Sequence, residues 1–470
     1  MRRCGRDIII LLMASLWSLR RGFLWILLGL TTATTCLFLY SSWLGFNSDR
    51  YHLNPFLAKF VPAGHCACQS STTFQCASCL ECSELTTYKP SSASKWTFQY
   101  GRDDRNEGLD RDRCQAAFPG LFEDIARATA YWEARRGISM DDLDAIPLNE
   151  GMARAFIYNG ELYVVSTRAK GEDHRRKILG VLSAIHRALV ASPHRADQPN
   201  IEFVFSIEDR IDDVTKPDYP VWVLTRTPSE QAAWLMPDFG FWAWENVQNS
   251  IGPYNQVVER IERNELPWEE KKDKLVWRGK PSFAPKLRRA LIEAARNKPW
   301  DDVRQVDWYQ KTNVIGMEDH CNYKFIAHVE GRSYSAGLKY RQACRSVIVI
   351  HKLQFIQHHH YLLVSEGPRQ NYVEVERNFT DLPEKMDALL QNPEMAERIA
   401  NNSVKTFRER YLTQAAEACY WRALFEGYAT VFANRNVTLW SERDRKERGL
   451  RYESFVLLES PLMYDFTALS

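Results

Sequence analysis

The sequence predicts an α/β protein of two doubly wound lobes, standing behind a membrane-spanning helix and a cysteine-rich stem. Three observations carry this expectation. Two strand–helix series follow one another, joined by the polar, lysine-rich stretch 264–274. An apolar run without a single charge covers residues 22–46. Between that run and about Arg113 the chain is rich in Ser, Thr, Gly and Cys and lacks periodic apolar patterning.

The first run, 8–19, is too short to span a bilayer and is closed by Arg20 and Arg21. The second reaches roughly 37 Å at about 1.5 Å per residue, enough for a hydrocarbon core of about 30 Å. Trp25, Tyr40 and Trp43 suit its interfaces. Arg2, Arg3, Arg6, Arg20 and Arg21 precede it, whereas Arg50 and Lys59 are the first basic residues beyond. The positive-inside rule therefore predicts a cytosolic N-terminus and a lumenal body; the expectation is a single-pass type II protein of the Golgi or endoplasmic reticulum membrane. A cleaved signal peptide is the alternative; the length of the run and the lack of a small-residue cleavage site favour an anchor.

The other signals agree with a lumen. Asn378, Asn401 and Asn436 open glycosylation sequons. Five cysteines crowd between Cys66 and Cys82 as Cys-x-Cys and then Cys-x-x-Cys-x-x-Cys. In an oxidising compartment this reads as a disulfide staple, in the cytosol as a zinc site. The expected parts are a cytosolic tail (1–21), a signal anchor (22–46), a stem (47–117), a first lobe (118–265), a second lobe with closing helices (274–434) and a tail (435–470).

In the first lobe, helical spacing covers 120–136 and 177–190. Asn159-Gly160 marks a hairpin between strands 154–158 and 161–166, and further strands are expected at 201–207 and 221–225. In the second lobe, strands 274–277, 303–306, 325–329, 347–350 and 372–375 alternate with helices 285–297 and 335–343. A helix from Leu382 and helices 393–411 and 415–433 close the fold.

Lysine and arginine total 61 against 59 acidic residues. That balance speaks against nucleic acid as a partner, since phosphate backbones select strongly basic faces. The chemistry is expected where strands meet helices. Leu275 to Pro281 leads through Arg278, Gly279 and Lys280 into a helix carrying Lys286, Arg288 and Arg289: an anion site, or a solvated basic face. Phe325 to Ser335 repeats strand, turn and helix start, with Ser333 or Ser335 as a cap and Arg332 and Lys339 as nearby charge; on the residues alone an ordinary capped connection is the reading to prefer. Strand 201–207 ends in Glu208 and Asp209, where a carboxylate could act as a general base or pair with Arg210. The triplet Asp238-Phe239-Gly240 lacks the companion motifs of a kinase. The run His358-His359-His360 is expected at the surface, and Asp110-Arg111-Asp112 and Asp142-Leu143-Asp144 read as surface acids rather than metal ligands.

With Trp277-Arg278-Gly279, Asp319 to Phe325, Glu330 to Ser335, Cys344 to Val347 and Asn371 to Glu376, the chain resembles glycosyltransferase family 90 from about residue 149 to 432. The stretch Trp234 to Trp242 is similar to its fungal branch. The resemblance implies two Rossmann-like lobes of the GT-B type, a UDP-sugar donor held by the second lobe, and an inverting transfer without a metal or other cofactor. Expected partners are the UDP-sugar, a glycan or glycoprotein acceptor and the lipid bilayer. Donor contacts would come from Arg278, Gly279, Arg288, Glu330, Gly331, Arg332, Ser335 and Lys339. Cys321 would pair with Cys344, and Cys419 with a stem cysteine.

Two departures stand out. Family members usually carry arginine two residues before the lysine matching Lys339; here that residue is Gly337. One lost phosphate contact costs about 1.5–3 kcal/mol, and Arg332 or Arg341 could replace it. The animal branch has its base shortly after the strand matching 161–166, where the nearest acids are Glu172 and Asp173. Asp209 and Asp173 are therefore rival bases. The sequence-level expectation is a transferase of xylose or glucose; the alternative is a degenerate, non-catalytic relative that binds a glycan or protein.

Overall fold

The computed structural model describes residues 96–459, apart from 214, 217, 243, 245–250, 308–309, 434–436 and 443–444. The expected anchor 22–46, the five crowded stem cysteines and Asn436 lie outside the described residues. Among the described residues, no helix is long and apolar enough to cross a membrane.

Three helices open the fold: α1 (Arg111–Ala117), α2 (Glu123–Glu133) and α3 (Met140–Asp144). The first acid of each Asp-x-Asp triplet is taken up by a helix cap. Asp110 accepts from Arg113 N, and Asp142 forms a capping box with Ser139.

The hairpin signal then takes effect. Asn159 and Gly160 both adopt positive φ (51° and 71°), as a tight hairpin turn requires. β1 (Met152–Tyr158) and β2 (Glu161–Arg168) consequently pair antiparallel. The amphipathic α4 (Gly171–Val190) leads to β3 (Ile201–Ser206), which is antiparallel to β1. Only β4 (Val221–Val223) and β5 (Trp234–Leu235) add in parallel. The first lobe is thus a mixed sheet, parallel in its β3–β5 half and not doubly wound throughout. The physical reason is the two-residue turn, which can join only antiparallel neighbours; a parallel pair needs a crossover.

The second lobe begins with α5 (Tyr254–Asn264) and β6 (Lys272–Gly279), followed by α6 (Pro285–Ala295), β7 (Asp301–Gln305) and β8 (Tyr323–His328). After the single turn α7 (Leu338–Gln342) come β9 (Val347–His351), β10 (Val373–Val375), α8 (Leu382–Gln391) and α9 (Pro393–Thr406). Its five strands are all parallel, in the order β7-β6-β8-β9-β10. This is the doubly wound arrangement, with helices covering both faces, which explains why β9 is buried along its whole length. The strand order reverses between β6 and β8.

A π-helical turn (Phe407–Tyr411) redirects the chain into α10 (Gln414–Val431). That helix leaves the second lobe and fills the core of the first. Trp421, Phe425 and Tyr428 gather around Trp222, which stacks on Phe203 at 3.9 Å. Each such ring contributes roughly 1.5–3 kcal/mol by burial. The disulfide Cys114–Cys419 ties α1 to α10.

Past a small ribbon, β11 (Trp440–Ser441) with β12 (Lys446–Glu447), β13 (Leu450–Arg451) pairs with the outer edge of β2. α11 (Tyr452–Glu459) then bonds to α4 through Tyr452 and Ser183, at 2.6 Å. Residues expected as stem and tail therefore belong to the body: Leu109, Cys114 and Ala117 are core, and β13 extends the first sheet.

Candidate functional site

Where a doubly wound sheet reverses its strand order, the connections on either side run to opposite faces and leave a crevice beyond the carboxyl ends. Here that point lies between the ends of β6 and β8. Arg288, from the first turns of α6, is buried there and fastens the two connections together. Its Nε donates to the Glu330 carbonyl at 3.0 Å and its Nη1 to the Lys280 carbonyl at 2.7 Å. A Cβ at Gly331 would lie 3.1 Å from Arg288 Nη2, so glycine leaves the guanidinium its place. No carboxylate counters Arg288 among the described residues, and burial lowers its pKa to about 10. Beside the turn opens a cavity of about 430 Å³, bounded by Lys280, Ser282, Arg289, Gln305 and Asp307.

The expected gathering of Arg278, Ser335 and Lys339 around one anion does not occur. Side chains alternate along a strand, and Trp277 takes the α6 side of β6, so Arg278 takes the other. Its guanidinium is held by Asp302, through the carbonyl at 2.6 Å and Oδ1 at 3.0 Å. Glu330 is likewise occupied. Its buried carboxylate accepts from the Gln354 and Phe355 N–H groups, both at 2.9 Å, and from Arg377 at 2.6 Å. It shapes the β9–β10 connection.

Lys339 joins the lobes. Its ammonium donates to Asp238 Oδ1 and Oδ2 at 2.7 and 2.9 Å, and to the Ala336 carbonyl at 3.1 Å. That accounts for all three donors of a lysine. Burial pulls its pKa down, and Asp238 opposes the shift. The Tyr340 hydroxyl adds bonds to the carbonyls of Gly240 and Gly252, while Tyr334 packs into the first-lobe core. The triplet Asp238-Phe239-Gly240 thus serves as the first lobe's grip on α7, which nothing in its sequence announces.

α7 starts at Leu338, later than the spacing suggested. Gly337 stands at its N-cap, and neither Ser333 nor Ser335 caps it. Ser335 is partly exposed and Arg332 exposed. The Ser333 hydroxyl is buried and finds no partner among the described residues. Arg341 is buried against Gly337, its Nη1 3.1 Å from His328 Nδ1.

The first lobe faces this region with acids. Asp209, exposed just past β3, lies near enough to Tyr334 that its charge, after burial and Asp238, helps raise that phenol well above its usual pKa. Asp173, in the first turn of α4, pairs with Lys177 at 2.7 Å, and Lys177 reaches over the Phe239 ring. Glu172 meets Arg175 at 3.4 Å. Glu208 pairs with His174 at 3.0 Å. Gly151 permits this: at its φ of 84°, a Cβ would fall 2.7 Å from the Glu208 side chain.

The histidine run is not at the surface. His358 and His359 are 3% and 1% exposed, packed against Tyr420 and Phe407. Burial holds His358 and His360 down to about 3, so both are neutral at physiological pH. Hydropathy reads three histidines as polar, but an uncharged imidazole is a flat ring that a core can take.

Among the described residues, no cluster of three or more His, Cys, Asp or Glu could hold a metal ion. Cys321 and Cys344 are bonded. Cys419 meets Cys114, a residue of the segment expected as stem. Asn378 is exposed, whereas Asn401 sits inside α9, bonded to Arg345, with Ser403 of its sequon fully buried.

Comparison with known proteins bears on this geometry. Protein O-glucosyltransferase 1 of Rattus norvegicus is 23% identical over 259 residues, 51% of this chain and 64% of its own length. Its Mus musculus counterpart is 22% identical over 291 residues, 58% of this chain and 69% of its own length. O-glucosyltransferase rumi of Drosophila melanogaster is 27% identical over 237 residues, 45% of this chain and 55% of its own length. The chain thus spans less than two thirds of the rat protein. The family model described as glycosyl transferase family 90 matches residues 112–443, from α1 through both lobes and the returning helix. This chain belongs to glycosyl transferase family 90.

Proposed function

We propose that this protein transfers a sugar, glucose or xylose, from a UDP-sugar to a hydroxyl of a glycan or glycoprotein. The observation that carries the reading is Arg288, a buried cation without an acid among the described residues, set at the strand-order reversal of a doubly wound lobe in a chain of this family. The relatives named as O-glucosyltransferases favour glucose and a protein acceptor. Two disulfides suit an oxidising lumen, and the apolar run 22–46 would supply the anchor.

In this reading the lobes form a GT-B-type pair, with the donor on the second lobe and the acceptor approaching from the first. The acceptor oxygen attacks the anomeric carbon, the bond to the β-phosphate oxygen breaks, and the configuration inverts. The acceptor proton passes to a carboxylate. Asp209 is favoured over Asp173 as that base. It follows the carboxyl end of β3 and lies by Tyr334. Arg288 and backbone N–H groups of the two connections would stabilise the departing diphosphate, so the transfer needs no metal. The cavity beside Lys280 offers Ser282, Gln305 and Asp307 as hydrogen-bonding partners for the uridine end.

One observation favours the non-catalytic alternative: all three Lys339 donors are taken within the protein. A UDP-release assay over a panel of UDP-sugars and acceptors separates the two. Turnover should appear with UDP-glucose or UDP-xylose and fall roughly 100-fold or more in Arg288→Ala. Asp209→Asn should abolish it, and Asp173→Asn should retain it. No turnover across the panel, with or without UDP binding, would end the transferase reading and favour the glycan- or protein-binding alternative.

A further inference from the structure

Arg341 is a buried guanidinium with no acid beside it among the described residues. It is 7% exposed, and its side-chain partner among the described residues is a neutral ring nitrogen, His328 Nδ1 at 3.1 Å. Its Nε finds no acceptor there. Arg288 stands close enough to add to the lowering of the Arg341 pKa, with burial the larger influence. Arg288, too, has carbonyls for partners and no carboxylate among the described residues. Two like charges taken out of water without counter-charge work against folding.

The surrounding groups do not relieve them. Burial and the neighbouring cations keep His328 uncharged. Glu330, the nearby acid, is matched by Arg377 and two backbone N–H groups. The buried Ser333 hydroxyl, in the connection leading to Gly337, also lacks a partner among the described residues. Unmet donors and unmet positive charge lie together here, as at a place built to take an anion.

Gly337 sets the path. A Cβ there would lie 3.2 Å from Arg341 Nη1 and 3.4 Å from Cζ and Nη2. Three guanidinium atoms at nearly equal distance mean that the group lies flat on bare backbone. Any side chain at 337 would press on it.

We propose that Arg341 is a donor-phosphate residue, reaching the diphosphate of the nucleotide sugar past the bare Cα of Gly337 and sharing it with Arg288. The inference rests on the UDP-sugar reading above and adds to it the group that compensates for glycine at 337.

The test is calorimetric titration of the full-length chain with UDP and with uridine, together with thermal unfolding without ligand. Arg341→Leu should weaken UDP roughly 10- to 100-fold and leave uridine nearly unchanged. It should also raise the unfolding midpoint, because an uncompensated charge is gone. Gly337→Ala should weaken UDP in the same sense. The double variant Gly337→Arg with Arg341→Leu should regain UDP affinity, since a guanidinium returns one helical turn earlier. Arg341→Leu binding UDP as tightly as the parent, or losing UDP, uridine and stability together, overturns the proposal. If the parent binds UDP and only Arg288→Ala weakens it, this inference fails alone. If the parent binds no UDP, the donor reading fails with it.

Discussion

Glu417 is a carboxyl group placed where a charge does not belong. It sits buried in the first turn of α10, accepting N–H bonds from Trp242 at 2.9 Å and Trp421 at 3.4 Å. Burial outweighs both bonds and raises its pKa from 4.5 to about 8. Between those two values the folded protein keeps a proton that the unfolded chain releases. Stability from this group is therefore full below pH 4.5 and is lost as pH rises through about 8. The total is on the order of a few kcal/mol. Glu417→Gln keeps the shape and removes the titration. Urea unfolding should show the variant more stable than the parent at pH 8, with the difference shrinking toward pH 5; equal stability at both pH values would refute the assignment. No residue-by-residue reading of the sequence finds this group, because its surroundings come from Trp242, far away in the chain.

At the scale of elements, the helix α7 is one turn long and cannot hold itself in place. Lys339 and Tyr340 hold it, through Asp238 and the carbonyls of Gly240 and Gly252. Asp238→Ala would strand the Lys339 ammonium in the interior, at a cost of about 3–5 kcal/mol. Asp238→Leu combined with Lys339→Met should recover most of that loss in chemical denaturation. A single variant as stable as the parent would show that the pair does not secure α7. The strands that end near this helix were legible in the sequence. Val347 to Ile350 of β9 is an unbroken apolar run, and Asn159-Gly160 announced its turn, because each of these signals is local. The place of Arg288 after a strand and a turn, on the helix that follows, was legible in the same way. Arg278 was misread, since which side of β6 it takes and the presence of Asp302 on β7 depend on pairing between strands. Burial of His358 and His359 was missed for the same reason: Tyr420 and Phe407, which cover them, arrive from later helices.

Across the whole molecule, the two lobes are not two separable halves of the chain. The closing helices were expected with the second lobe, yet α10 supplies the first lobe's central rings, and the disulfide Cys114–Cys419 spans 305 residues. Cys419→Ser should lower stability by roughly 2–5 kcal/mol, read as a fall in the denaturation midpoint of the oxidised protein relative to the parent. An unchanged midpoint would mean that the bridge merely decorates a finished core. The returning helix also orders events during synthesis. The sheet of the first lobe, with Trp222 and Phe203 on it, leaves the ribosome roughly 180 residues ahead of the rings that cover it. At about 5–20 residues per second, that sheet waits on the order of ten seconds or more with its apolar face open. The part made first is finished last, so a nascent chain stalled anywhere before residue 414 is a sticky fragment whose natural companion is a chaperone.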